Sequence, residues 1–511
     1  MDEQTPVLIG AGQFTYRGAA GNSPSPTRLL KIAAERALAD AGLAEGSYTN
    51  LDGLAVMGFA VDAPGGGRAI PHSTNPPATL AKVLGADPAW ATYAHMGGNS
   101  PQHAINLVCE RIARGQNDFV LVVGCEFLGS GTKRLVQGLG FDDWEDADVL
   151  PPPERIGDGR PGVSGHEGRH GLGRPINAYP LFENALRARD GRSIAEHQQR
   201  LGELFAPFTR VAAANSEAWF PIERSAEELI TVTERNRMVG FPYPKYLNAI
   251  MEVDQSAGVI ITSLAKARAL GVAEDRMVFL HGCADAHDIW NLLERQNFHS
   301  SPAMQMTGAR ALEMAEIGLA DIGDIDLYSC FPSAVQIGAE ALGLALDDPR
   351  GLTVTGGLPY AGGPGNNYAM HSVVVMMQRL RAKPGDYGLV TANGWFLTKQ
   401  STGVYSTRAP CRPFERQDPA VIQGQIDALP RPVVIEAPQG RGKIETYTVV
   451  HGREGYLMGI VIGRDEQDRR FVAQVASDPQ VLESLETNEG IGRMGYVQSA
   501  PAGGKNLFVP D

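Results

Sequence analysis

Residues 119–125, Phe-Val-Leu-Val-Val-Gly-Cys, are apolar at every position. A strand of this kind has no face to offer to water, so it belongs inside a sheet covered on both sides, as parallel sheets are. The segments around it alternate between strand and helix. Residues 6–10 are a short apolar run ending in glycine. Leu29, Leu30, Ala33, Ala34, Ala37 and Leu38 repeat at helical spacing up to Gly42, 51–59 and 90–95 read as strands, and a helix over 101–114 stops at Gly115. Such alternation predicts an α/β layered fold.

The pattern breaks over 126–246. Residues 141–174 are acidic and then rich in Gly and Pro, and the helices at 192–214 and 226–233 do not alternate with strands, so this stretch reads as an inserted domain of loops and helices. Alternation resumes at 253–269 and runs through 277–282, 303–320, 325–329, 332–342, 370–380 and 387–391. From 410 to 511 the character changes again: 432–437, 444–451, 456–464 and 471–476 are alternating, strand-like segments separated by turns, the spacing of a small, independently packed antiparallel barrel or sandwich. The expected domains are 1–125, 126–246, 247–409 and 410–511.

Composition narrows the function. The 45 Lys and Arg against 58 Asp and Glu give a net charge of −13 with no basic stripe, which excludes the clustered cations that a phosphate backbone needs, so no nucleic-acid partner is expected. No apolar run approaches the ~18 residues of a membrane helix. The opening residues, MDEQTPVLIGAGQ, lack the basic and apolar regions of a secretory signal. Five cysteines without a CxxC pair make no disulfide framework. The expectation is a cytoplasmic protein without membrane insertion.

Two loops carry the chemistry. In 95–101, His-Met-Gly-Gly-Asn-Ser-Pro, and again in 326–332, Asp-Leu-Tyr-Ser-Cys-Phe-Pro, a strand runs through a turn into a helix. Ser100 reads as an N-cap with Pro101 at the first helical position. Gly98, Asn99 and Ser100 in such a loop aim backbone N–H groups at one point, which suits a thioester oxyanion or a phosphate. Cys330 stands before a helix N-terminus, which would lower a thiol's pKa. The glycine-rich run 356–368 contributes Gly362, Gly363, Asn366 and Asn367, and His371 follows in the next helix; these are candidate convergent donors. His166-Glu-Gly-Arg-His170 matches HExxH, but the crowding glycines and flanking Pro161 and Pro175 argue against the helix that zinc chemistry requires, so a solvated loop and no metal are expected. Gly10-Ala-Gly12 would need a third glycine where Thr15 stands, so no dinucleotide fingerprint is present.

These loops, in this order, resemble the thiolase superfamily over about residues 1–409. Where that family has Cys-x-Ser-Gly this chain has Gly98-Asn-Ser100-Pro101. The Asn-Glu-Ala-Phe motif corresponds to Tyr328-Ser-Cys330-Phe331, Gly-His-Pro to Gly362-Gly363-Pro364, and Cys-x-Gly to the region of Thr391-Ala-Asn393-Gly394. Tyr-Ser-Cys-Phe is similar to the His-Asp-Cys-Phe of sterol-carrier-protein-type thiolases, and with the β-rich tail the likeness is to thiolase-like proteins of type 1, which often carry the name acetyl-CoA acetyltransferase. The resemblance implies two similar βαβαβαββ halves in five layers with an inserted loop domain, followed by a C-terminal antiparallel β-barrel resembling an OB-fold. It also implies a homodimer through the core, unless the added domain covers that face.

The departures from the family pattern set the expected function. Gly98 has no side chain to acylate, Gly363 replaces a histidine and the last motif lacks its cysteine, so thiolysis through an acyl-enzyme is not expected. The coenzyme A thioester enters as substrate, with no covalently bound cofactor. The expected chemistry is formation or cleavage of a carbon–carbon bond through an enolate, as in thiolase-related aldolases. Tyr328 is the candidate base, His371 its rival, and Cys330 an acid/base by resemblance. The alternative is a catalytically inactive acyl-CoA-binding or scaffold protein.

Overall fold

The computed structural model describes residues 2–63, 70–144, 150–500 and 503–511. The parts of the expected domains at 1, 64–69, 145–149 and 501–502 lie outside the described residues. The apolar strand Phe119–Phe127 is buried at all nine positions and sits in the interior of a six-stranded sheet, between Asp254–Ser263 and Gly53–Val56. It runs parallel to the second and antiparallel to the first, so the sheet is mixed rather than parallel.

A second sheet repeats the arrangement. In the first, Pro6–Thr15 pairs antiparallel with Asp254–Ser263, which pairs antiparallel with Phe119–Phe127, which pairs parallel with Gly53–Val56. In the second, Phe279–His287, Lys399–Ser406, Tyr387–Gly394 and Ile322–Asp326 follow each other with the same three senses of pairing. Helices Ser100–Ala113 and Tyr368–Ala382 lie between the sheets, sharing one core with both. Pro26–Asp40 covers the outside of the first sheet and Pro302–Ala315 that of the second, which makes five layers. The last strand of the first sheet comes after the inserted domain. The first half therefore ends at 263 and not at 125, and the boundary read at 247 falls inside it; hydrophobic pattern cannot tell which sheet a strand joins.

The inserted stretch holds Pro175–Arg189, a helix the sequence reading does not give, besides Ile194–Ala214 and Ala226–Ile230. It also supplies Glu154–Ile156, which pairs parallel with Trp90–Ala94 and covers that edge of the first sheet.

The tail closes into a five-stranded barrel. Gln439–His451 pairs with both Tyr456–Asp465 and Met494–Gln498, and the ring is completed through Arg470–Val475 and Leu507–Pro510. Arg470–Val475 and Leu507–Pro510 pair parallel, so the barrel is not antiparallel throughout. One side of it packs around Tyr447, Val461, Phe471, Leu482 and Phe508. From the other side Ile460, Ile462 and Val472 enter the largest core cluster, with Tyr179, Phe182 and Phe331. The tail is thus not packed independently. Helix Pro419–Asp427 lies on the second half, burying Ile422 and Ile426 against Ala284, Ile289 and Ala303, and the barrel itself begins at 439 rather than 410.

Candidate active site

Four loops meet between the two halves, and Gly98 is at their centre. A Cβ on Gly98 would stand inside the contact radius of Tyr328 Oη and 2.5 Å from Asn393 O. Tyr328 is fixed there by its N–H, which donates to Thr391 Oγ1 (2.9 Å), and by edge-on contact with the Tyr368 ring, centroids 5.4 Å apart. Burial, reinforced by Cys330 and Tyr368, pushes its phenol well above the usual tyrosine range. The proton that a base would have to give up is therefore held more tightly than in water.

Ser100 is the first residue of its helix and not the cap; its Oγ donates back to His95 O (2.9 Å). Asn99 precedes it without capping, and its Nδ2 donates to Ser401 Oγ (3.2 Å) in the second sheet. The asparagines of the glycine-rich run are spent on backbone. Asn366 accepts from Gly97 N (2.8 Å) and donates to Gly58 O (2.6 Å), while Asn367 donates to Gly124 O (2.8 Å). They tie the two halves together and are not free donors. The Gly97 amide is consumed by the same bond. Gly362 has φ +106° and lies where a Cβ would meet Gln255 Oε1; Gly363 donates to Ile250 O (2.8 Å).

Cys330 lies one residue outside the cap of helix Pro332–Leu342, but burial wins over the helix terminus and pushes its thiol up to about 12. It sits beside Tyr179, with Asn393 Nδ2 3.9 Å from its sulfur. Tyr179 holds this corner. Its hydroxyl donates to Trp395 O (2.9 Å) and accepts from Asn393 Nδ2 (2.9 Å) and Leu397 N (3.3 Å), clamping a turn in which Trp395 and Leu397 have φ of 57° and 56°. Bulky side chains rarely take that conformation. The sequence carried no signal for Tyr179, which reaches the site from the inserted domain.

His371 does not join Tyr328 and Cys330. Its Nδ1 bonds Gln13 Oε1 (2.9 Å) on the strand Pro6–Thr15, and burial lowers its imidazole to about 3. The HExxH stretch does form a short helix, Gly165–Arg169, because Ser164 and Glu167 make a capping box. Its groups are structural: Glu167 accepts from Leu293 N (2.8 Å) and His170 Nε2 from Asn506 N (2.8 Å) in the tail. Among the described residues no group of three or more His, Cys, Asp or Glu is placed to hold a metal ion.

Comparison with known proteins gives the family and the fold. Residues 421–501 match the thiolase-like protein type 1 additional C-terminal domain. A monomeric SCP2-thiolase-like protein type 1 from Mycobacterium smegmatis is 38% identical, with a TM-score of 0.85 over 100% of this chain and 99% of that one. The chain belongs to the SCP2-thiolase-like type 1 family. The Ltp2–ChsH2(DUF35) aldolase (18% identity, TM-score 0.57, 79% of this chain and 98% of that one) has the same core fold. So does an acetyl-CoA acetyltransferase from Syntrophomonas wolfei (16%, 0.53, 79% and 99%). No curated protein sequence matches the chain. In this thiolase-like protein the space beside Gly98, in the loop after Trp90–Ala94, is filled by the hydroxyl of Tyr328. Among the described residues no helix is long and apolar enough to cross a membrane.

Proposed function

We propose that this thiolase-like protein binds acyl-CoA thioesters without forming an acyl-enzyme, and that thiolysis is absent from its nucleophile loop. The observation that carries the reading is the seat of Tyr328 Oη against Gly98, where a nucleophilic side chain would project. Burial holds the Tyr328 and Cys330 protons, and His371 faces Gln13, so the loop is left without a ready base. The thioester as ligand class is supported by the family fold and by the acetyl-CoA acetyltransferase that shares it.

A second reading, retro-aldol cleavage of a β-hydroxyacyl thioester, is favoured by Tyr328 itself, whose hydroxyl stands against Gly98 of the loop. There it would take the proton of the substrate hydroxyl as the Cα–Cβ bond breaks and pass it to the α-carbon of the thioester enolate. This leaves a carbonyl compound and the shortened thioester, and the tyrosine holds no charge of its own. A monomer is the expected solution state, because Glu154–Ile156 covers the sheet edge and the relative from Mycobacterium smegmatis is named monomeric.

Titration with acetyl-CoA, a long-chain acyl-CoA and a β-hydroxyacyl-CoA decides between these readings when binding heat, release of free thiol or carbonyl product, and intact mass are followed together. Binding with neither product nor adduct is the expected result. Carbonyl product from the β-hydroxy compound selects the second reading. An acyl adduct on any cysteine, or no binding of any thioester, overturns the proposal.

A further inference from the structure

A cavity of about 270 Å³ lies against the other residues of the nucleophile loop, Asn99 and Ser100, and is not lined by Tyr328 or Cys330. Lys399 reaches into its wall from the second sheet and is 6% exposed. Burying an ammonium is costly unless it is paired. The Nζ of Lys399 donates to two neutral carbonyls, Met96 O (2.6 Å) and Asp158 O (2.5 Å), and among the described residues it has no carboxylate within ion-pair distance.

The acidic groups bordering the cavity are already matched. Asp158 is held by Arg160 (2.6 Å), and Asp285 by Arg416 (2.8 Å) and His103 (3.1 Å). His95, His287, Gln400 and Gln423 complete the polar lining, and His287 takes a bond from Arg160 (2.9 Å), so none of them adds negative charge. An ammonium has three donors, of which two are used. The apolar part of the wall comes from Ala94, Ile156, Ala286, Pro419 and Ala420. Burial lowers the Lys399 amine to about 8 although the Asp158 carboxylate, shared with Arg160, pulls it the other way, and an incoming anion would raise it again.

We propose that this cavity binds a small carboxylate with a short apolar tail, its carboxylate on Lys399 and its tail against the alanine, isoleucine and proline wall. The site is separate from the thioester reading above and does not rest on it.

The test is calorimetric titration of the full chain with butyrate, with butyramide and with inorganic phosphate, repeated in the presence of acetyl-CoA. Butyrate is expected to bind at least about tenfold more tightly than butyramide, since the charge-assisted bond is lost with the charge. Lys399→Met is expected to abolish the difference. Ala420→Phe, at an exposed position on the cavity wall, is expected to weaken butyrate binding without touching the core; it decides the matter if Lys399→Met does not fold. Equal binding of butyrate and butyramide, or no binding of butyrate, overturns the proposal. Phosphate binding more tightly than butyrate overturns the apolar tail. Displacement of butyrate by acetyl-CoA would show a single site and overturn the separation, whereas failure of acetyl-CoA to bind at all would leave this site standing and remove only the thioester reading.

Discussion

The hydroxyl of Tyr328 occupies the volume into which a side chain at Gly98 would project, and the carbonyl of Asn393 closes the same volume from the other side. Restoring the family's nucleophile is therefore not a one-residue change. Gly98→Cys is expected to destabilise the fold by about 1–3 kcal/mol, the usual cost of overpacking a buried site, and to give no acetyl adduct with acetyl-CoA. Adding Tyr328→Ala should recover part of that loss, so that the double variant is more stable than the sum of the two singles. Chemical denaturation and intact-mass spectra check both. A Gly98→Cys protein as stable as the parent, and acetylated, would show that the space is open.

Tyr179 gives a second expectation. Tyr179→Phe keeps the ring stacked on Phe331, centroids 4.4 Å apart, but removes the hydroxyl bonded to Trp395 O, Leu397 N and Asn393 Nδ2. Leaving these buried groups unpaired costs about 1–3 kcal/mol, and the turn with positive φ at Trp395 and Leu397 loses its clamp. Cys330 next to it loses the hydroxyl bond that favours its thiolate, so its alkylation by iodoacetamide should slow. Unchanged stability and unchanged labelling would place the clamp elsewhere.

The two half-folds were legible because periodicity and glycine stops are local, and residues 119–125 announce their burial on both faces. The sites of failure are those set by distant partners. Tyr179 lies 216 residues from Trp395, and nothing in its own segment marks it. Cys330 was placed correctly before a helix, but its thiol is governed by burial, which position along the chain does not reveal. Asn366 and Asn367 read as convergent donors because their polarity is visible in sequence and their carbonyl partners, Gly58 and Gly124, are not.

His371 makes a prediction with a sign. Burial holds its imidazole at about 3, against 6.5 when exposed. Between those values the unfolded chain binds a proton that the folded one refuses, so this contribution to stability is complete above pH 6.5 and is lost as pH falls toward 3. The slope is at most about 1.4 kcal/mol per pH unit. His371→Gln lacks that titration. Urea unfolding at pH 5 and pH 7.5 should show a smaller loss on acidification in the variant than in the parent. Parallel losses would mean that the imidazole is free to protonate in the folded protein.

Arg470 tests whether the barrel stands alone. It is fully buried in the tail, donates to Leu293 O (2.9 Å), Arg295 O and Gln296 O (3.2 Å) of the core, and pairs with Glu445 (2.6 Å). Arg187 adds a two-pronged pair with Glu489 from the other direction (2.6 and 2.8 Å). Removing the buried Arg470 guanidinium leaves carbonyls of the core without their donor, at about 1–3 kcal/mol for each group left unpaired. All five tryptophans, at 90, 144, 219, 290 and 395, precede the tail, so their fluorescence reports on the core alone. Arg470→Met is expected to lower the urea midpoint seen by tryptophan fluorescence, because core and barrel unfold together through the shared cluster of Tyr179, Ile460 and Val472. Protease cutting in the linker at 406–417 should then fail to release two folded pieces. A tryptophan midpoint that does not move, with a separate low-urea transition by circular dichroism, would make the barrel an independent domain after all.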